Sequence, residues 1–439
     1  LLIDGEITTN ITIPDGVTEI KDYAFEGLTN LVNVSIPEGV TRIGDSAFSD
    51  CSELTDITIP EGVTSIGTYA FFGCSSLTSI EIPASVTTIG FAAFYVCGLL
   101  ESVAFGENSQ LTSIEGWAFH SCRSLVGITI PDGVTSIGER AFVGCSNLAN
   151  VTIGNGVTTI GKSAFNSCYS LTSVTIPASV TTIGESAFSD CYRLIEVYNL
   201  SALSITAGSS DYGHAGYYAE YIYTDTATPS KQSVTEDGYV FYVDGDKRYL
   251  LGYVGTESEI MLPENCNGGA YAIYAYAFYR NTSLTSVTIP DSVTSIGDYA
   301  FRYCDSLTSV TIGDGVTSIG NYAFENCDSL TSVTVGDSVT SIGKYAFYNC
   351  RSLTSIVIPS SITSIENYTF YNCDSLESIY YTGTAEEWSS IIFNSGNDPL
   401  TSATVYYLSN QLTDEQKADG NNYWHYVDGV PTIWTKETT

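Results

Sequence analysis

The chain has 439 residues, with 15 Lys and Arg against 49 Asp and Glu, and a formal net charge of −34. Charged residues make up only 15% while hydrophobic ones reach 44%; disorder needs low hydrophobicity as well as high net charge, so the chain is expected to fold. So acidic a chain is repelled by phosphate backbones and anionic lipid, and no apolar run approaches the ~18–20 residues of a membrane span. The expected partners therefore exclude nucleic acid and membrane insertion. The sequence opens on Leu1 with no charged leader behind it, which reads as a mature fragment whose signal peptide and anchor lie outside it.

The dipeptide Ala-Phe recurs with Phe at 25, 48, 71, 94, 119, 142, 165 and 188, and again at 278, 301, 324 and 347; Phe370 follows with Thr369 in place of Ala. The step is 23 residues, except for one of 25, where two extra residues fall around Gly106–Gln110, and one of 90. A period of this size is a solenoid signature, because one unit cannot bury its apolar face alone and must stack on its neighbours. Residues 284–306 show the unit: Leu284, Val287, Ile289, Pro290, Val293, Ile296, Gly297, Ala300, Phe301 and Cys304. Leu-x-x-Val-x-Ile is a short strand with two-residue alternation, Pro290 stops it for want of an N–H, Val-x-x-Ile-Gly turns back, and a helical turn at Ala-Phe is expected to close the coil. Adjacent coils should advance by the ~4.8 Å between neighbouring strands.

These residues resemble the BspA-like leucine-rich-repeat proteins, and the resemblance covers most of the chain. It implies a right-handed leucine-rich-repeat solenoid, an α/β repeat fold of mostly short parallel strands. It also implies a bacterial protein, secreted or on the cell surface, that works by adhesion or another form of protein binding and has no catalytic residues or cofactor.

In chain order, the repeat predicts a first block over 1–200, a Tyr-rich insertion over 201–257, a second block over 258–382 and a cap over 383–439. Within the insertion, Gly238–Tyr242 and Arg248–Tyr253 read as a β-hairpin around Asp244-Gly245-Asp246. In the cap, Thr384 and Thr413 each open a capping box, Gly420 is a stop, and the segment from Tyr423 to Trp434 reads as one aromatic strand pair.

Eleven of the twelve Cys follow a repeat Phe by three residues; Cys266 is the exception, and Leu28 and Asn281 fill the slot in two coils. No C-x-x-C is present, so the column reads as buried free thiols rather than a zinc site. His120, His214 and His425 stand apart, with no nucleophile or phosphate-loop motif near them. Asp15, Glu38, Glu61, Asp132, Asp291, Asp314 and Asp337 recur at the turn after each strand; they read as solvated turns, with weak calcium binding as the alternative.

The outward strand positions are mostly Ser and Thr, and a binding patch should break that monotony. The breaks are Asn33, Asp56, Glu81, Glu101, Glu196 with Tyr198, and Tyr380, most of them in the first half of the chain. Insertions in solenoids map to one face, so Tyr217, Tyr218, Tyr221 and Tyr223 join them as candidate ligand contacts. The alternative is that these rings only plug the stack. The sequence thus predicts a monomeric, non-catalytic adhesin for an extracellular protein or cell-surface polymer, without metal. Its rivals are a glycan-binding or glycan-active insertion and a structural spacer.

Overall fold

Every coil places two short strands and an arc of turns around a column of apolar side chains, and the coils stack in parallel. The computed structural model describes residues 9–227 and 230–435, and the backbone of two short strands, Leu2–Ile3 and Glu6–Ile7. The chain divides into two compact units, Leu1–Ser230 and Lys231–Thr439, each with its own hydrophobic core.

In the first unit, the longer strands run from Asn10–Thr12 to Tyr221–Tyr223 and pair in three successive parallel ladders. The two-residue strands on the other side form one eight-stranded parallel sheet, from Glu19–Ile20 to Thr182–Ile183. Register is strict and in phase with the sequence period: Ser79 pairs with Ser102, Val103 with Ile80, and Ile114 with Ile137. A one-residue slip would turn every inward Val and Ile to solvent, so burial enforces the register. Thr hydroxyls reinforce it, Thr64 Oγ1 donating to the Thr41 carbonyl at 3.1 Å and Thr87 Oγ1 to that of Thr64 at 3.0 Å.

The arc at Ala-Phe is not the helical turn that the sequence predicts. Each arc holds two residues in the left-handed region, such as Ser46 (φ 50°) and Asp50 (φ 58°), or Tyr345 (φ 59°) and Asn349 (φ 60°). These flip alternate peptides, so that every second N–H points at the next coil: Ser46 N to Thr68 O, Phe48 N to Ala70 O and Asp50 N to Phe72 O, at 2.6–2.8 Å. A helix would spend those donors on its own carbonyls and leave the stack unbonded here. The inter-coil bonds offset a conformational cost of about 1–2 kcal/mol per left-handed residue.

Inside the arcs the Phe rings stack face to face. Centroids lie 5.1–5.3 Å apart from Phe25 to Phe188 and 4.7–5.2 Å apart from Phe278 to Phe370.

The segment expected as one insertion is shared between the units. Tyr221–Tyr223 continues the first unit, pairing parallel with Glu196–Asn199, and Phe188 N bonds Gly213 O as it would in an ordinary coil. The expected hairpin is present in the second unit as Tyr239–Asp244 and Lys247–Tyr253. Its first strand pairs antiparallel with the edge strand Gln232–Val234 and its second in parallel with Tyr271–Ile273, so the hairpin is part of that unit's seven-stranded sheet.

At the far end both capping boxes are formed, Thr384 with Glu387 and Thr413 with Gln416. Asn422–Val427 and Val430–Ile433 make the expected antiparallel pair. The closing contact belongs to Asn397, which is buried. Its Oδ1 accepts the Phe370 N–H at 3.0 Å, the bond the next coil would supply, and its Nδ2 donates to the Glu366 and Asn394 carbonyls at 2.8 Å.

Two substitutions test this ledger by denaturant unfolding. Phe142→Ala removes a fully buried ring from the column and should cost about 3–5 kcal/mol. Asn397→Leu strands the Phe370 N–H and removes a donor from the Glu366 and Asn394 carbonyls, of which Glu366 keeps the Thr369 hydroxyl; it should cost at least about 2 kcal/mol, despite conserving bulk.

Candidate functional site

A cleft of about 940 Å³ opens on the first unit where the outward Ser/Thr pattern is lost. Its floor is carried by Ser102–Phe105, Gly127–Thr129 and Asn150–Thr152, neighbouring strands of one ladder. At two outward positions the side chain is missing or minimal: Ala104, paired with Glu81, and Gly127, paired with Ser102 and Asn150.

One wall comes from the two extra residues. Gly106 N bonds Ile82 O at 2.9 Å and Gln110 N bonds Ala84 O at 2.8 Å, so both ends of the loop are tied to the preceding coil. The surplus length bulges outward at the exposed Glu107 and Asn108, with Asn108 in the left-handed region. The opposite turn is held tightly: a Cβ on Gly154 would lie 2.4 Å from the Pro131 carbonyl oxygen, so no side chain can stand there. Gly127 differs, since a Cβ would meet nothing closer than 3.5 Å; its bareness leaves space that the fold does not require.

Among the residues singled out in the sequence, Glu81 and Glu101 are exposed beside this cleft. Asn33 and Asp56 are exposed and paired with each other in the separate three-stranded ladder. Glu196 and Tyr198 must be corrected. Neither is on an open face: Glu196 is fully buried and accepts the Ser230 hydroxyl at 2.6 Å, and Tyr198 stacks on Tyr223 at 4.9 Å. The extra strand Tyr221–Tyr223 beside them is the reason. Tyr218, Tyr221 and Tyr223 are half-buried and pack among Tyr192, Tyr198 and Tyr217, of which Tyr217 remains exposed. The cleft itself escaped sequence reasoning, although the 25-residue step and Gly127 in a Ser column were its visible signs.

The remaining titratable groups are engaged by the fold. All twelve Cys are buried free thiols. Column members donate to the Phe carbonyl of the preceding coil, as Cys97 Sγ does to Phe71 O at 3.2 Å. Burial pushes the Cys97 and Cys145 thiols up to about 12, so they are protonated donors and poor nucleophiles.

Ser121 and Ser189 hydroxyls meet Nδ1 of His120 and His214 at 2.9 Å. Among the described residues no carboxylate is hydrogen-bonded to the other nitrogen of either ring, so neither pair is a triad. Burial and Arg140 hold His120 below its ordinary range.

Three of the acidic turns, at Asp132, Asp291 and Asp314, accept a backbone N–H of the next coil. Asp291 Oδ1 accepts Asp314 N, and Asp314 Oδ1 accepts Asp337 N, each at 2.8 Å. Among the described residues no cluster of three or more His, Cys, Asp or Glu is placed to hold a metal ion. No helix among them is long and apolar enough to cross a membrane.

Stacked parallel strands, a fixed repeat and an interrupted outward face define a leucine-rich-repeat solenoid. Residues 5–126, 92–209 and 271–398 match the BspA type leucine rich repeat region, and the chain belongs to that family. It is similar to a leucine rich cell surface protein from Faecalibacterium prausnitzii A2-165, with 31% identity over 89% of this chain and 92% of that one, at a TM-score of 0.40. A leucine-rich repeat protein from Bacteroides ovatus ATCC 8483 shares 24% identity over 95% and 92% of the two chains, TM-score 0.34. The pneumococcal vaccine antigen PcpA shares 18% over 92% and 90%, TM-score 0.39. No curated protein sequence gives a significant match.

The thiol column makes stability pH-dependent. Because the folded pKa lies above the unfolded value near 9, its contribution is whole below pH ~9 and is lost as pH rises towards about 12. Cys97 and Cys145 should each add a slope of about 1.4 kcal/mol per pH unit across that window. Urea midpoints should hold from pH 7 to 8 and fall above pH ~9. An Ellman titration at pH 8 should find the thiols inert in native protein and all twelve reactive after unfolding.

Proposed function

We propose that this chain is a non-catalytic recognition protein of the bacterial cell surface, and that it binds an extracellular protein in the cleft over Ala104 and Gly127. The observation that carries this reading is the bare Gly127. The backbone would accept a side chain there without a clash, and nearly every neighbouring coil supplies one. Open space that stability does not demand is what a ligand site needs.

Kinship with a protein described as a leucine rich cell surface protein supports the location. Membership of the leucine-rich-repeat family supports a binding role. The rim carries Glu81, Glu101 and Asp132, of which Asp132 lines the cleft. It therefore favours a partner segment with basic side chains, whose association should weaken as salt screens the attraction.

The test is surface plasmon resonance of purified protein against a panel of extracellular matrix proteins, with Gly127→Tyr alongside. The expected result is a ligand bound at physiological salt, weaker by about tenfold or more once the cleft is filled, which corresponds to about 1.4 kcal/mol. The thermal stability of the variant should stay within about 0.5 kcal/mol of the parent, as for other exposed positions. Equal binding by Gly127→Tyr would move the site elsewhere.

A further inference from the structure

In the second unit a tyrosine stands one residue before each Ala-Phe pair and before Thr369-Phe370: Tyr276, Tyr299, Tyr322, Tyr345 and Tyr368. The rings stack with centroids 4.7, 4.8, 4.7 and 5.2 Å apart and planes within 9°. All five residues are left-handed, with φ of 57–61°, a conformation that disfavours bulky side chains. The fold does not need tyrosine there. In the first unit the same slot, equally left-handed, holds Ser46, Ala92, Ser163 and Ser186 interspersed with Tyr23, Tyr69, Trp117 and Arg140, so only the second unit fills it with tyrosine throughout.

The column is also polar at its edge. The stacked faces are taken by one another, and Tyr276, Tyr345 and Tyr368 also make edge contacts with Tyr279, Tyr348 and Tyr371; four of the rings are half-buried and Tyr368 is exposed. Among the described residues the hydroxyls of Tyr299, Tyr322, Tyr345 and Tyr368 make no hydrogen bond. Burial and neighbouring phenols raise the Tyr299 and Tyr322 pKa, so these hydroxyls are neutral and can both donate and accept.

A second ladder flanks the first. Asn349 Nδ2 donates to Asn326 Oδ1 at 2.7 Å, and Asn372 Nδ2 to Asn349 Oδ1 at 2.8 Å. The ion pair of Arg302 with Glu325, at 2.5 Å, neutralises the charge between them.

We propose that this tyrosine column is a docking track for a linear, uncharged, β-linked polysaccharide, a second binding function independent of the cleft in the first unit. The repeat argues for the ligand class. An extended peptide advances ~3.3 Å per residue and presents like-facing side chains at twice that, out of step with a 4.7–5.2 Å ladder. Sugar rings in an extended β-linked chain advance by close to one coil each, so every ring can meet one phenol and one point of the polar edge. Charge argues for neutrality: a chain of net charge −34 repels uronate polymers and nucleic acid alike.

The experiment is isothermal titration of the full chain with uncharged β-linked hexasaccharides of glucose, xylose and N-acetylglucosamine. The corresponding disaccharides and an anionic galacturonate hexamer are run beside them. The variant is Tyr322→Phe with Tyr345→Phe, which keeps both rings in the stack and removes only their hydroxyls; circular dichroism melts check that it folds.

At least one neutral hexasaccharide should bind, tighter than its disaccharide by about tenfold, and the double variant should lose about tenfold for two hydrogen bonds of ordinary net worth. The proposal is overturned if no neutral hexasaccharide binds, if the galacturonate hexamer binds best, or if the variant binds as well as the parent. It is equally overturned if sedimentation shows a dimer that the variant abolishes, since a second copy shares the same repeat and would then be the occupant.

Discussion

Backbone hydrogen bonding between one coil and the next is the constraint on which the rest of this protein depends. A 23-residue loop has no room for an internal ladder of its own. Its amides must therefore find partners one turn of the chain away, and they do so in both strand sets and in the arc. Once those bonds are in register, each sequence position becomes a column of like atoms at a spacing near 5 Å. The Phe, Cys, Thr and Asp columns all follow from that one alignment. Each residue type is chosen for what it does to its own copy above and below: rings stack, thiols and hydroxyls reach the adjacent carbonyl, carboxylates take the adjacent N–H.

The same alignment shapes function. A periodic surface is nearly featureless, so a site arises where the period is broken or where a repeated side chain exceeds what the backbone requires. The first unit shows the former, with two extra residues and a bare Gly127. The second unit shows the latter, with tyrosines in a slot that serine can fill. The two devices suit different ligands: a cleft selects a particular shape, whereas a track selects a repeat.

Much of this was legible in the sequence because periodicity is a strong signal. The strand positions, the hairpin over Asp244-Gly245-Asp246, the capping boxes at Thr384 and Thr413 and the buried Cys column each had a local chemical signature, and each is present. The arc was misread as helical because Tyr, Ser, Ala and Arg do not advertise a left-handed backbone; only inter-coil bonding makes that conformation worthwhile. Glu196 and Tyr198 were expected on an open face because the strand that helps cover them, Tyr221–Tyr223, has a single inward Ile222 and no recognisable repeat. The cleft was missed for a different reason. It consists of absent side chains, and a search for unusual residues passes over glycine and alanine.

The left-handed residues of the arc have one more effect. Strand amides alternate, donating forward and backward along the stack, but in the arc the inter-coil N–H groups all point towards the later coil. Their peptide dipoles therefore add, and each arc is polarised along its stack much as a helix is along its axis, with the positive end at the C-terminal coil. Such an edge ends in bare donors, and the second unit meets them with acceptors, the Ser395 carbonyl on Tyr368 N and Asn397 Oδ1 on Phe370 N. A stack with a direction can be lengthened only by coils of the same orientation, and its two ends are not interchangeable. Growth by tandem duplication of whole repeats meets that condition automatically, whereas a reversed segment added to this edge would set N–H against N–H.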